Sequence, residues 1–182
     1  MNVIETKLKG CFILEPKIFE DARGYFFESF NQKTFNELTN SNIVFVQDNE
    51  SFSSKGVLRG LHYQIGESAQ AKLVRVIKGS VLDVAVDIRK NSPTFGQHIT
   101  VELSEDNKKQ LFVPRGFAHG FLVLKDNTIF NYKCDNFYNK ASERGIIFDD
   151  STLNINWQFE KNQILVSEKD AILPSFKNAR LW

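Results

Sequence analysis

The segment 56–79, GVLRGLHYQIGESAQAKLVRVIKG, decides the fold and the search for a site. Its residues alternate in the manner of a β-strand, with His62 two residues before Gln64 and ten before Lys72. Polar side chains that face the interior of a β-sheet protein are costly to desolvate unless they bind each other or a ligand. The segment is therefore a candidate site, although a single histidine on a strand more often has a structural role.

Length and composition restrict the class of protein. A chain of 182 residues with 23 Lys and Arg against 22 Asp and Glu carries a formal charge of +1. We expect one domain over residues 1–182 and no global attraction to nucleic acid or a membrane. No signal sequence and no apolar run of about 18 residues is evident, so we expect a cytoplasmic protein. Cys11 and Cys134 lack any spacing pattern and are expected to be reduced.

A series of short strand patterns dominates the chain. Turn-forming residues separate them about every ten residues, which favours an all-β sandwich or barrel of the jelly-roll type. We expect strands at 57–64, 71–77, 81–88, 97–103, 110–113, 119–124 and 128–134.

The first half and the tail are less uniform. A turn at 21–24 and a strand at 25–30 are followed by a helix at 31–40, with Asn31 as its N-cap. A further strand is expected from Ile43, with Gln47 and Asn49 on one face, either lining a pocket or facing solvent. The tail segment 166–171 is compatible with a helical turn or a loop.

One problem of strand parity arises at the centre of the segment. In an ideal strand His62 and Arg59 lie on opposite faces. If both serve one site, the strand must contain a bulge, and Gly60 is the expected position of that irregularity.

The sequence PRGFAH at 114–119 has the spacing P-x-G-x-x-H of the second motif of the cupin superfamily, and 56–79 resembles the first motif. Metal-binding cupins supply His-x-His, Glu and a later His. Here those positions hold His62, Gln64, Lys72 and His119. An ammonium group repels a divalent cation, and an amide oxygen is a poor replacement for imidazole, so we predict no metal site.

The altered set of residues suits a different chemistry. Neutral imidazole at His62 can remove a proton next to a carbonyl group, and the Lys72 ammonium can stabilise the resulting enolate. Tyr132 is a candidate for the acid that returns the proton, although a structural role for this tyrosine is at least equally compatible with its position.

Seven short motifs follow one another in the chain. They are D-x-R-G-x-F-x-E (21–28), Q-x-N (47–49), GVLRGLHYQ (56–64), QAKL (70–73), DVAVDIR (83–89), SPTFG (92–96) and GFAHGF (116–121). In this order and at these intervals they resemble the dTDP-4-dehydrorhamnose 3,5-epimerase family of metal-free cupins. The resemblance runs from about Ile4 to the end of the chain.

The resemblance implies a cupin-type jelly roll and an enzyme that needs no cofactor. Its activity would invert C3 and C5 of dTDP-4-dehydro-6-deoxy-D-glucose to give dTDP-4-dehydro-L-rhamnose. His62 would be the proton acceptor, oriented by Asp170, and Tyr132 would be the proton donor on the opposite face of the sugar. Lys72 would lie near the keto oxygen.

The resemblance also implies the residues that bind the dTDP-linked sugar. Family members are typically homodimers that exchange N-terminal strands, so Arg23 and Glu28 would serve the partner's site. Tyr138 would stack against the base. The implied binding residues are Arg23, Glu28, Gln47, Asn49, Arg59, Lys72, His119, Tyr138, Glu143 and Lys169.

Two departures from the family pattern are Arg115 inside the Pro-x-Gly motif and the run FDD at 148–150, and neither touches an implied catalytic residue. Relatives that epimerise only C3 or only C5 of related sugars keep most of the same residues. A mono-epimerase or a ketoisomerase therefore stays open as the alternative enzyme. A non-enzymatic cupin that binds a sugar or nucleotide is the alternative from a different class.

Overall fold

The structure, a computed structural model, describes residues 1–182. Thirteen strands and two α-helices were assigned. In chain order they are β1 (Asn2–Glu5), β2 (Phe12–Glu15), β3 (Phe19–Asp21), β4 (Gly24–Phe26), α1 (Gln32–Thr39), β5 (Gln47–Ser53), β6 (Leu58–Gln64), β7 (Lys72–Lys78), β8 (Ser80–Asp87), β9 (His98–Ser104), β10 (Gln110–Val113), β11 (Phe117–Val123), β12 (Thr128–Cys134), β13 (Glu143–Gly145) and α2 (Glu168–Ala171).

The strands form two large sheets and one hairpin. The six-stranded sheet has the order β1-β2-β10-β7-β12-β5, and the five-stranded sheet has the order β13-β6-β11-β8-β9. Every pairing within the two sheets is antiparallel. The remaining strands, β3 and β4, pair only with each other. The prediction of an all-β sandwich is confirmed.

An apolar layer fills the space between the two sheets. Val74 and Val76 of β7 and Phe130 of β12 face it from one sheet, and Ala85 and Phe121 face it from the other. Every second side chain of a strand points to the same face of the sheet, so polar residues at those alternate positions also face the inner layer. The positions of polar residues along each strand therefore determine which polar groups can meet between the sheets.

The outer face of each sheet is also covered. The C-terminal segment packs Phe148, Trp157 and Phe176 against the outer face of the five-stranded sheet. Helix α1 covers the outer face of the other sheet through Phe35, which is fully buried. As predicted, Asn31 is the N-cap of this helix, and its side chain accepts a hydrogen bond from the Thr34 N–H at 3.1 Å.

Two strand predictions were wrong in their limits. The predicted strand at 25–30 ends at Phe26, and the strand predicted from Ile43 begins only at Gln47. Phe30 and Phe45 instead pack edge-on against each other, with ring centroids 5.4 Å apart, and both pack against α1. These two segments therefore pack their partly buried rings against the helix, outside the sheet.

No helix of the structure has both the length and the apolar character that crossing a membrane requires.

Candidate active site

A cavity of about 620 Å³ lies between the two sheets, and we call it the main cavity. Both sheets and the segment 165–170 contribute to its wall. The predicted site residues that line it are Asn49, Arg59, His62, Lys72, His119, Tyr132, Lys169 and Asp170.

An irregularity in β6 brings Arg59 and His62 to the same cavity. His62 pairs with His119 of β11, but Arg59 pairs with Phe121, so β6 contains one residue more than its partner over this interval. Gly60 lies at this point with φ +125°, and a Cβ atom there would come within 2.6 Å of the Gly120 Cα. Only glycine fits such a close approach with this backbone. The prediction of a bulge at Gly60 is confirmed.

His62 forms a hydrogen-bonded pair with Asp170. Its Nε2 lies 2.7 Å from the Asp170 Oδ1, and the side chains are 28% and 5% exposed respectively. The short helix α2 presents the carboxylate, and Ser167 caps that helix by accepting from the Asp170 N–H. Burial raises the pKa of Asp170, but the hydrogen bond and charge of His62 outweigh it, so the pKa is held below its ordinary value. The tail therefore supplies an ionised partner for the histidine.

Lys72 and Tyr132 reach the main cavity from the facing sheet. They lie on the adjacent strands β7 and β12, and the Lys72 Nζ lies 5.6 Å from the centroid of the Tyr132 ring. Burial lowers the pKa of Lys72, and burial raises the pKa of Tyr132. The raised pKa keeps the tyrosine protonated at neutral pH, and the lowered pKa of Lys72 reflects the poor solvation of its ammonium group in this cavity.

His119 forms a second histidine–carboxylate pair beside the first. Its Nε2 lies 2.9 and 3.1 Å from the two carboxylate oxygens of Asp83, and these side chains are 6% and 0% exposed. Both residues belong to neighbouring strands of the same sheet, β11 and β8. With Nε2 donating to Asp83, the other ring nitrogen of His119 is the one left without a protein partner.

A second cavity of about 310 Å³, which we call the side cavity, shares Asn49, His62, Lys72 and Tyr132 with the main cavity. Its wall also contains three further predicted residues, Gln47, Tyr138 and Glu143.

A chain of polar contacts connects the two cavities. The Tyr138 hydroxyl donates to the Glu143 carboxylate at 2.9 Å, and the Lys169 Nζ lies 2.6 Å from the same oxygen. Burial raises the pKa of Glu143, but these two hydrogen bonds bring it below its ordinary value, and the bond to Glu143 raises the pKa of Lys169. Glu143 and Lys169 are therefore both ionised at neutral pH.

Arg23 and Glu28 line neither cavity of this chain. Arg23 lies in the turn of the β3–β4 hairpin, where its side chain is 90% exposed and pairs with Asp21 at 2.5 Å. The Glu28 carboxylate accepts a hydrogen bond from the Asn31 side chain at 3.2 Å. Within one chain the structure does not bring these two predicted residues to the other site residues.

The side chains of this site do not form a set of ligands for a metal ion. Among residues 1–182 no three or more His, Cys, Asp or Glu side chains are grouped in a way that could hold a metal ion. Lys72 and Gln64 stand at the positions where the metal-binding arrangement needs further ligands.

Three residues with positioning contacts escaped the sequence-based prediction. Asp83 orients His119, Ser53 accepts hydrogen bonds from the Arg59 guanidinium at 3.2 and 3.4 Å, and Ser167 caps α2. A carboxylate inside the apolar run at 81–86 was a usable signal for Asp83, and the S-x-x-D spacing at 167–170 was one for Ser167. Nothing local in the sequence distinguishes Ser53.

Comparisons with known proteins agree with this geometry. The family model described as dTDP-4-dehydrorhamnose 3,5-epimerase matches residues 5–178. The enzyme of that name from Salmonella typhimurium is 54% identical over 181 residues, which is 100% of this chain and 98% of the relative. A crystal structure of the enzyme from Elizabethkingia anophelis is 55% identical, with a TM-score of 0.95, and the match covers 100% of this chain and 99% of that one.

A solved structure from Legionella pneumophila, in complex with dTDP-4-keto-L-rhamnose, is 49% identical with a TM-score of 0.93 and covers 97% and 93% of the two chains. A 3'-monoepimerase from Streptomyces bikiniensis is more distant, at 30% identity and a TM-score of 0.88 over 94% and 86%. The neighbours have the cupin-type fold, which confirms the predicted fold class. The chain belongs to the dTDP-4-dehydrorhamnose 3,5-epimerase family of isomerases.

Proposed function

We propose that this epimerase inverts C3 and C5 of dTDP-4-dehydro-6-deoxy-D-glucose by passing protons between His62 and Tyr132 across the main cavity. The observation that carries the proposal is the origin of the two groups in facing sheets, with His62 on β6 and Tyr132 on β12. A sugar ring between them would meet a base on one face and an acid on the other, which is the arrangement that inversion requires.

The C4 ketone acidifies the hydrogens on both neighbouring carbons. Neutral imidazole at His62 accepts the proton from the carbon, and the Asp170 carboxylate stabilises the imidazolium that forms. The C–H electron pair moves into the enolate, whose negative oxygen is stabilised by the Lys72 ammonium. The Tyr132 hydroxyl then donates its proton to the carbon from the opposite side, and exchange with solvent restores both residues for the second carbon.

The remaining cavity residues suit the nucleoside diphosphate part of the substrate. Arg59 and Lys169 supply cations for the phosphate oxygens, and His119 adds a ring nitrogen in the main cavity. Tyr138 offers an aromatic face for the base, with Gln47, Asn49 and Glu143 as polar contacts around it. A formal charge of +1 makes such a local cluster necessary, because the chain as a whole does not attract anions.

The dTDP-4-dehydro-6-deoxy-D-glucose epimerisation is tested by NMR of the product formed in deuterated water. We expect deuterium at both C3 and C5 and the L-rhamno configuration. Deuterium and inversion at one carbon only would instead support the mono-epimerase, and an unchanged sugar would contradict both.

We also propose a homodimer in which the N-terminal hairpin of one chain reaches the site of the other. The β3–β4 hairpin exposes Phe19, Tyr25 and Phe26 by 53%, 56% and 70%, and an apolar surface of this kind is better covered than solvated. It also carries Arg23, which has no place at the site of its own chain. The cytoplasmic location stays a prediction.

Mixing two impaired variants tests the exchange. In a mixed dimer of Arg23→Ala and His62→Ala, one site would combine an intact His62 with an intact Arg23 from the partner, so activity should rise above that of either variant alone. A mixture of His62→Ala and Tyr132→Phe is the matched control, since neither site of that dimer would be intact. Absence of recovery in the first mixture, with mixed dimers verified by native mass spectrometry, would contradict the exchange.

A further inference from the structure

Gln64 stands at a ligand position of metal-binding cupins and has no role in the proton transfers. It is the last residue of β6, two residues after His62, and is 6% exposed. All polar atoms of its side chain are engaged. Nε2 donates to the Ser68 carbonyl at 2.7 Å and to the Phe137 carbonyl at 3.2 Å, and Oε1 accepts from the Asn139 N–H at 2.6 Å.

Two of these contacts flank Tyr138 on both sides. Residues 137–139 belong to no helix or strand, so ladder hydrogen bonds do not fix them. The Gln64 amide holds the carbonyl before Tyr138 and the N–H after it, and the Gln47 Oε1 accepts from the Tyr138 N–H itself at 3.1 Å. Two glutamine side chains thus hold the three backbone groups nearest the Tyr138 ring, while the Phe137 N–H and the Asn139 carbonyl are held by Asn136 and Ser142.

The ring that this backbone carries is open to a ligand. Tyr138 is 55% exposed and lines the side cavity, and its hydroxyl is tied to Glu143 at 2.9 Å. An exposed aromatic ring is an effective stacking surface only if it is held in place before the ligand arrives, because otherwise ordering it subtracts from the affinity.

We propose that Gln64 is a positioning residue that holds Tyr138 as the preformed stacking surface for the base of the nucleotide. The inference rests on the proposed function, in which Tyr138 contacts the base. A primary amide donates and accepts through one planar group, which is what the carbonyl of Phe137 and the N–H of Asn139 together demand. A carboxylate cannot donate, and an apolar side chain can do neither. One strand therefore supplies the proton acceptor at His62 and, two residues later, the support for nucleotide binding.

The test compares steady-state kinetics of Gln64→Leu, Tyr138→Ala and the double variant with those of the wild type. Stacking of a base on an aromatic side chain is worth about 5- to 150-fold in binding. We expect Gln64→Leu to raise KM for the dTDP-sugar within that range while kcat stays near the wild-type value. In the double variant the two effects should be far from additive, because both act through the same ring.

Gln110→Leu is the matched control. Gln110 is also a buried strand glutamine, 1% exposed, and donates to the Ser29 carbonyl at 2.7 Å, but it lines neither cavity of the site. It should lower stability without raising KM. Gln64→Glu keeps the volume and the acceptor for Asn139 but loses both donor contacts, so its KM should lie above the wild type even if Gln64→Leu folds poorly.

A readout independent of catalysis is the exchange rate of the Asn139 amide hydrogen, measured by NMR. It should rise in Gln64→Leu and stay unchanged in Gln110→Leu. An unchanged KM in Tyr138→Ala would remove the proposed base contact itself and the inference with it. A raised KM in Tyr138→Ala with fully additive effects in the double variant, or with unchanged Asn139 exchange in Gln64→Leu, would overturn the role of Gln64 alone.

Discussion

Two histidine–carboxylate pairs lie side by side in this molecule, and they differ in exposure and in the origin of the carboxylate. His62 is 28% exposed, and its partner Asp170 comes from a short helix in the C-terminal tail. His119 is 6% exposed, and its partner Asp83 comes from the next strand of the same sheet. The two histidines are direct cross-strand neighbours.

A histidine–carboxylate pair can therefore have two different roles, which depend on its access to the cavity. A base must accept a proton from one molecule and lose it to another, so it needs access to the cavity, which His62 has. The His119 ring is held between Asp83 and neighbouring aromatic rings, with Phe121 and Phe130 centroids 6.4 and 6.3 Å away. We therefore assign proton transfer to the first pair, and ligand contact and stability to the second.

The largest expected effect separates the two histidines directly. His62→Ala should reduce solvent deuterium exchange at C3 and C5 by about 10²–10⁴-fold, the usual contribution of a general base. His119→Ala should raise KM and retain exchange. The measurement is NMR of the sugar in deuterated water, and an equal loss of exchange in both variants would contradict the division of labour.

Lys72 faces both pairs from the other sheet, and its replacement is the next largest expected effect. Lys72→Met should lower kcat by about 10²–10³-fold, as when an oxyanion loses one stabilising donor.

The pH dependence sharpens the role of Lys72. Burial lowers its pKa from the ordinary 10.5. Because the cation is the active form, kcat should fall as pH rises through this lowered pKa, so the alkaline limb should lie below pH 10.5. Burial raises the pKa of Tyr132, so loss of its proton comes later. Lys72→Arg should move the limb upward, even at a lower maximal rate, since arginine stays protonated. If the alkaline limb of the kcat profile stays at the same pH in Lys72→Arg, the limb reports the titration of a group other than Lys72.

A smaller effect is expected from Asp170→Asn. The imidazole remains, but the amide no longer stabilises its protonated form, so we expect a loss in kcat of about 10²-fold, with KM little changed. The wild type also gains stability from the ionised Asp170, since its pKa is held below 3.8. That contribution should be present above the unfolded-state pKa and lost as pH falls through the folded value. The measurement is the unfolding free energy of the wild type and of Asp170→Asn at neutral and at acid pH. The difference between the two proteins should be larger at neutral pH than at acid pH.

The smallest effect on rate is expected from Asp83→Asn. Asp83 is completely buried, and His119 is its only hydrogen-bond partner. Replacement of the carboxylate by a neutral amide weakens this contact and should lower the unfolding free energy by about 1–3 kcal/mol. We expect kcat to change little, because Asp83 contacts the His119 ring and not the reacting atoms. Denaturant unfolding and kinetics on one preparation give both quantities. A large loss of kcat without loss of stability would place this pair in the chemistry.

The sequence was sufficient for the strand series and for the bulge at Gly60. These follow from the alternation of residues along each strand and from one parity conflict, both of which are local. The absence of a metal stays a prediction, which rests on the charge of Lys72 and on Gln64 at the ligand positions. The contact between Asp170 and His62 joins residues 108 positions apart, and only the family resemblance pointed to it. His119 and Asp83 are 36 positions apart, and their pairing could not be predicted because which strands become neighbours depends on the whole sheet order.

The limits of β4 and β5 could not be predicted for a related reason. Their flanking phenylalanines have strong strand preference, yet Phe30 and Phe45 pack against Phe35 of α1 in a tertiary contact that the local sequence does not reveal. The positions of Arg23 and Glu28 relative to a site stay a prediction, since they depend on a second chain.

The central claim is that the base and the acid act from opposite sheets on opposite faces of the sugar. It is tested most directly by incubating Tyr132→Phe with dTDP-4-dehydro-6-deoxy-D-glucose in deuterated water and analysing the recovered sugar by NMR. We predict deuterium at the carbon facing His62 with the original configuration retained and little inverted product, because the base works but the opposite donor is missing. Full inversion at the wild-type rate in Tyr132→Phe, or deuterium incorporation by His62→Ala, would contradict the account.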